Sequence, residues 1–257
     1  MSAALVNLLI GLSFGFLMAV LLNRFISAFL RGEPSMFNHP TCNSCGTQYS
    51  WGDQFPVFGY LNHSRKCNTC SHKKSFMPPL YELAMILFSV WAFTQLEYPQ
   101  ALQISLLFFA LIGITMVDLA KWIIPNIFVL VIFLVGILGI SFGHISILNS
   151  LQGMGVALIV SSFILLPQFI NKSEYALGDV KLSLAVALWL GWILSVYVFF
   201  LASILATLTW LFMGIFKGYS NKRSLQFGPF VALSTLIFGI GRLVDPQLIT
   251  HLLTFRF

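Results

Sequence analysis

The chain has 257 residues, 58% hydrophobic and only 9% charged, with a mean hydropathy of +0.89 and a formal net charge of +6. Soluble domains carry about 25% charged residues, so an ordinary soluble globular protein is excluded and an integral membrane protein is indicated. No hydrophilic segment is long enough for a separate large domain.

The first apolar run, 3–22, lacks a basic leading region and a small-residue cleavage site followed by a polar mature chain. It reads as a retained helix rather than a removed signal peptide. A helix needs roughly 20 apolar residues to cross the hydrocarbon core. By that measure eight spans are expected, at about 3–22, 78–96, 100–117, 123–142, 147–170, 180–194, 195–216 and 227–244. The sixth and seventh are separated only by Gly191 and Trp192. The expected fold is therefore all-α: a polytopic membrane protein of about eight transmembrane helices with a small cytoplasmic zinc-binding insert. Its parts are the first transmembrane helix (1–30), the insert (31–77) and a transmembrane core (78–257). Gly11/Gly15 and Gly214/Gly218 have the small-xxx-small spacing of close helix contacts, for which ordinary packing is the simpler reading than a dimer motif.

With eight spans and the amino terminus outside, the inner segments hold Arg24, Arg31, Arg65, Lys66, Lys73, Lys74, Lys121, Lys172, Lys181, Lys217, Lys222 and Arg223, leaving only Arg242 and Arg256 outside. The positive-inside tendency assigns the rich side to the cytoplasm. The basic balance thus reports topology and anionic lipid contact, not nucleic acid.

All four cysteines lie in the insert, as Cys42-x2-Cys45 and Cys67-x2-Cys70, with 21 residues between the pairs. Two such knuckles can present four thiolates to a tetrahedral zinc ion, and a reducing compartment argues against disulfides. The alternatives are accidental pairs or a redox dithiol. His39, His63 and His72 are possible substitutes, but four cysteines already complete a shell. With no open coordination position the metal should be structural, folding an insert that could not otherwise bury a core. Gly46, just past the first knuckle, supplies freedom for a turn.

Carboxylates at a membrane edge are expensive and suggest function. Asp118 ends the third span in "LIGITMVDLAKWIIPNIFVL", and Asp179 opens the sixth in "YALGDVKLSLAVAL". The topology places both at the cytoplasmic boundary, at similar depth, on different helices. Of the other acids, Glu33, Asp53 and Glu174 lie in loops, Glu97 and Asp245 lie outside, and Glu82 is near the start of the second span. Two carboxylates in a half-dry site can share one proton. The ionised one then serves as base on a water while the protonated one polarises a carbonyl. Taken singly, each aspartate is readable as an interfacial residue or a helix cap. Gly178 permits close approach or an unusual turn beside Asp179, Pro125 suits the first turn of the next helix, and Lys181 can snorkel to headgroups.

These segments resemble the type IV prepilin leader peptidases, membrane aspartic proteases of the GxGD type. "VDLAKWIIPN" resembles the first catalytic-aspartate segment, "ALGDVKL" the second, and "FGPF" (227–230) the motif at the last helix. The paired-cysteine insert and its exit "PLYELA" (79–84) resemble the cytoplasmic zinc loop of longer members. The resemblance implies that Asp118 and Asp179 are the catalytic pair. It implies removal of the short basic leader from prepilins and pseudopilins, after glycine and usually before phenylalanine, at the cytoplasmic face of a bacterial inner membrane. It also implies methylation of the new amino terminus with S-adenosylmethionine. Departures are Ala176 for the first glycine of G-x-G-D, and Phe16, Ala19, Arg65 and Pro78-Pro79 in the amino-terminal half, the half associated with methylation. The other function classes are a transporter using the carboxylates for cations or protons, and a non-enzymatic component of a pilus or secretion machine. A transporter would more often place its charges near the midplane within broken helices.

Overall fold

The computed structural model of the chain describes residues 2–32, 42, 44–48, 66–67, 69–71, 76–171, 177–217 and 225–245. His39, His63, His72, Ala176, Gly218 and several of the loop charges named above (Glu33, Asp53, Glu174, Arg65, Lys73, Lys74, Lys172, Lys222, Arg223 and Arg256) lie outside the described residues. Among the described residues there are seven helices: α1 (Ala3–Arg31), α2 (Met77–Gln95), α3 (Tyr98–Lys121), α4 (Asn126–Ser141), α5 (Ile147–Asn171), α6 (Leu177–Lys217) and α7 (Gly228–Val244). By length and composition α1, α2, α3 and α6 can cross a membrane, while α4, α7 and residues Ile147–Phe163 of α5 are shorter apolar helices. The all-helical, membrane-type expectation holds.

The expected count of eight is not reproduced, because the sixth and seventh expected spans run together as the 41-residue α6. Straight, 41 residues would measure about 60 Å, twice the hydrocarbon thickness of about 30 Å. The helix is not straight. At Gly191 the backbone takes φ 77 and ψ −178, a conformation essentially confined to glycine. A break in an apolar environment frees backbone groups that must find partners. The Trp192 N–H donates to Asn149 Oδ1 at 3.2 Å, the Ser195 hydroxyl donates to the Gly191 carbonyl at 2.6 Å, and half-buried Arg242 donates through Nη1 to the Trp189 carbonyl at 2.6 Å and through Nη2 to the His144 carbonyl. Arg242, which the charge count treated as an outer residue, thus works as an internal clasp on the break.

The chain divides into two compact units, Met1–Ser105 and Leu106–Phe257. In the first, α1 and α2 pack along one another. A Cβ added at Gly11 would lie 2.8 Å from Val90 Cα, and one at Gly15 would lie 2.9 Å from Ile86 Cα. The glycines therefore serve close packing within the chain, as the simpler reading of their spacing had it. The Tyr81 hydroxyl donates to Asn23 Oδ1 at 2.7 Å and that of Tyr98 to Asn7 Oδ1 at 2.6 Å, while Leu5, Leu8, Leu12 and Leu17 of α1 stay exposed. In the second unit α6 packs on α4, α5 and α7. Val186, Leu190, Leu194, Val198, Phe128 and Ile132 are buried in it, whereas Leu134, Leu158, Phe200 and Phe212 face outward. Apolar side chains on both the inner and the outer surface suit a lipid surround.

Candidate active site and metal centre

Asp118 sits in the last turn of α3 and is buried, 5% exposed. Its helix stops at Lys121 because Trp122 adopts φ 61 and Pro125 follows. A left-handed conformation costs a non-glycine residue about 1–2 kcal/mol, which the surrounding turn must offset. Pro125 caps α4 rather than entering its first turn, one position earlier than expected. The short reversal brings Ile124 against the start of α6: a Cβ at Gly178 would meet Ile124 Cβ at 3.3 Å. Gly178 is therefore a close-approach glycine.

Asp179 stands in the first turn of α6, half-buried, where a helix amino terminus favours negative charge. The two carboxylates fall within electrostatic range of one another. Two residues on, exposed Lys181 extends its ammonium towards Asn126 Oδ1, at 3.4 Å, at the start of α4.

A third part of the site comes from the entry to α7, Gln226 before the helix and Gly228 at its first residue. The Gln226 side-chain amide donates to the Asp118 carbonyl at 2.8 Å, which also receives the Trp122 N–H at 2.8 Å. The Gly228 N–H donates to the Asp118 carboxylate. A Cβ at Gly228 would lie 2.6 Å from Asp118 Oδ2, so no larger residue fits without displacing the carboxylate. Sequence reasoning missed Gln226 and the role of Gly228. A glycine followed by proline marks a helix start, but nothing in the sequence says which side chain that start faces. Chemically, the arrangement offers two carboxylates from different helices: that of Asp118 is held by the Gly228 amide while Gln226 holds its main-chain carbonyl, and that of Asp179 lies nearer solvent.

The four cysteines converge separately, in the first unit. Their Sγ atoms all lie within 4.8 Å of one another, with Cys42–Cys70 at 3.7 Å and Cys45–Cys67 at 3.8 Å. A disulfide needs about 2.05 Å. A tetrahedron of thiolates about 2.3 Å from a central zinc has edges of about 3.8 Å, so the donor set fits a tetrahedral metal ion. Each knuckle is built alike. The Gly46 N–H donates to the Cys42 carbonyl and the Ser71 N–H to the Cys67 carbonyl, both at 2.9 Å, and both donors are left-handed, at φ 71 and φ 56. Backbone amides of Ser44 and Cys45 bring the Cys42 thiol down to about 6, and those of Cys70 and Thr69 lower Cys67. Thiolates are the metal-binding form.

Residues 9–96 match the model of the bacterial peptidase A24 N-terminal domain, and residues 105–211 match that of the type IV leader peptidase family. A prepilin leader peptidase/N-methyltransferase of Vibrio cholerae is 26% identical over 206 residues, 78% of this chain and 80% of that protein. The proteins of the same name from Pseudomonas aeruginosa and Dichelobacter nodosus are 25% identical over 197 residues (75% and 68%) and 28% identical over 212 residues (79% and 72%). No solved structure matches the chain.

Proposed function

The chain belongs to the type IV leader peptidase family, and on that premise we propose that it cuts the short basic leader from prepilins and pseudopilins, after a glycine, at the cytoplasmic face of a bacterial inner membrane. The observation that carries this is the meeting of Asp118 and Asp179, from two helices, in one half-buried site. The pair shares one proton. The ionised carboxylate takes a proton from water as the oxygen attacks the scissile carbonyl, and the protonated one hydrogen-bonds the carbonyl oxygen. The tetrahedral intermediate collapses with protonation of the leaving nitrogen, breaking the C–N bond and restoring the shared proton. An edge location suits the substrate, whose basic leader stays in the cytoplasm while its apolar segment lies in the bilayer. In this reading α6 makes two crossings, one on either side of the break at Gly191, and twelve of the fourteen basic residues stay inside.

Zinc at Cys42, Cys45, Cys67 and Cys70 is structural in this account. The relatives' names also carry an N-methyltransferase activity, and we extend it to this chain with S-adenosylmethionine as donor. Co-expression with a prepilin bearing a Gly-Phe junction tests both halves. The expected product is the leaderless pilin with an N-methylated phenylalanine by mass spectrometry. An uncut prepilin refutes the proposal, and a cut but unmethylated one restricts it to the peptidase.

A further inference from the structure

We propose that Gln226 and Gly228 are positioning residues for the peptidase reaction, a clamp that fixes Asp118 in the geometry the dyad needs. The inference rests on the reading of Asp118 as one of the catalytic pair. Two separate contacts point the same way. The Gln226 amide holds the main chain of Asp118 at 2.8 Å, close to where α3 ends and the strained Trp122 turn begins. The Gly228 N–H holds its carboxylate.

These contacts act on different degrees of freedom. The first adds a second donor to a carbonyl that already accepts the Trp122 N–H, and so ties the end of α3 to the segment before α7. The second selects one carboxylate orientation out of the broad range that an aspartate terminal torsion allows. Gly228 lies in the first turn of α7, a helix of 17 residues, where N–H groups have no partner within the helix and point outward. Its lack of a side chain is a steric requirement as well, because a Cβ would occupy space 2.6 Å from Oδ2. The following Pro229 has no N–H to compete and presets the helical φ. The "GP" pair thus delivers one amide to one carboxylate. Lys181, Ile124 and Trp122 also border the site, but none of them contacts Asp118 in a way that could orient its carboxyl group.

Full-length Gly228→Ala, Gln226→Leu, Gly155→Ala and Asp118→Asn proteins are compared with wild type on a purified prepilin, measuring kcat, KM and Tm. Gly155 is the control, since a Cβ there meets nothing within 4 Å. Gly228→Ala should lower kcat about 100-fold, the cost of misplacing a reacting group by about 1 Å. Gln226→Leu should lower it about fivefold, the rate equivalent of one neutral hydrogen bond. KM and Tm should stay near wild type in both, and Gly155→Ala should be unchanged throughout. A merely structural role would move Tm along with kcat, and that outcome overturns the inference. So does a kcat within twofold of wild type in both variants while Asp118→Asn is inactive, a result that leaves the dyad standing. If Gly228→Ala does not accumulate, Gln226→Leu decides alone. An active Asp118→Asn protein refutes the underlying assignment instead.

Discussion

Replacing Cys67 by serine removes one of four thiolates from the knuckle pair, and the structure indicates how much that contact set must carry. Among the described residues of the insert only Cys42 and Cys67 are buried, and Ser44 to Gln48, Lys66 and Thr69 to Ser71 are exposed. The knuckles therefore gain almost nothing from apolar burial, which elsewhere gives about 25 cal/mol per Å². A structural zinc site contributes about 10–16 kcal/mol, as much as the whole stability of a typical domain. Among the described residues of the insert, a metal held by the four thiolates would be the only large favourable contribution. Purified wild-type protein should hold about one zinc per chain by elemental analysis. The Cys67→Ser protein should hold almost none, and protease should nick it faster within 33–75. Helical content and membrane extraction should be unaffected, since α1 and α2 pack directly on each other. Full zinc in Cys67→Ser would refute the four-thiolate assignment. So would wild-type protein isolated zinc-free with its cysteines paired as disulfides.

Other perturbations probe the packing. Gly191→Ala forces a side chain into a backbone conformation essentially confined to glycine and places its Cβ 2.6 Å from Asn149 Oδ1; beyond about 1–3 kcal/mol of backbone strain it disturbs the cap on Trp192. Its Tm should fall by about 5 °C or more, and an unchanged melt would show that the break is not a fixed turn. Gly15→Val wedges α1 from α2, since even a Cβ lies 2.9 Å from Ile86 Cα; overpacking of this kind costs about 1–3 kcal/mol, measurable as a lower Tm. Equal stability would mean the two helices do not pack this closely. In the knuckles, Ser71→Gly should slow zinc loss to a chelator by relieving its φ of 56, and Gly46→Val should accelerate it. Equal release rates in both would contradict the left-handed turns.

Much of this was legible in the chain. The Cys42/Cys45 and Cys67/Cys70 spacing named its own tetrahedron, because ligands at x2 spacing fold back on one centre whatever surrounds them. Asp118 and Asp179 stood out because carboxylates are rare in so apolar a sequence, and the structure brings them within electrostatic range of one another. The helices followed from the length of the apolar runs. Other features were hidden for physical reasons. The sequence marked Gly191 and Trp192 as the break between the sixth and seventh expected spans, and the kink falls at Gly191, but the carbonyl clasp of Arg242 that holds it left no sequence pattern. Arg242 counted as an outer charge, yet its guanidinium is turned into the second unit. Gln226 and Gly228 are more than 100 positions from Asp118, and contacts between distant segments leave no local pattern. Trp122 gave no warning of its left-handed turn, since bulky aromatic residues rarely adopt one.

The most direct test of the central claim is cleavage by single-aspartate variants. Wild type, Asp118→Asn and Asp179→Asn are each reconstituted in liposomes with a prepilin carrying a Gly-Phe junction, and the shorter product is followed with time. Asparagine keeps the shape but cannot take up or share the proton, so each variant should lose at least about 1,000-fold in rate while its Tm and zinc content match wild type. Cleavage at the wild-type rate by either variant would contradict a shared-proton aspartate pair.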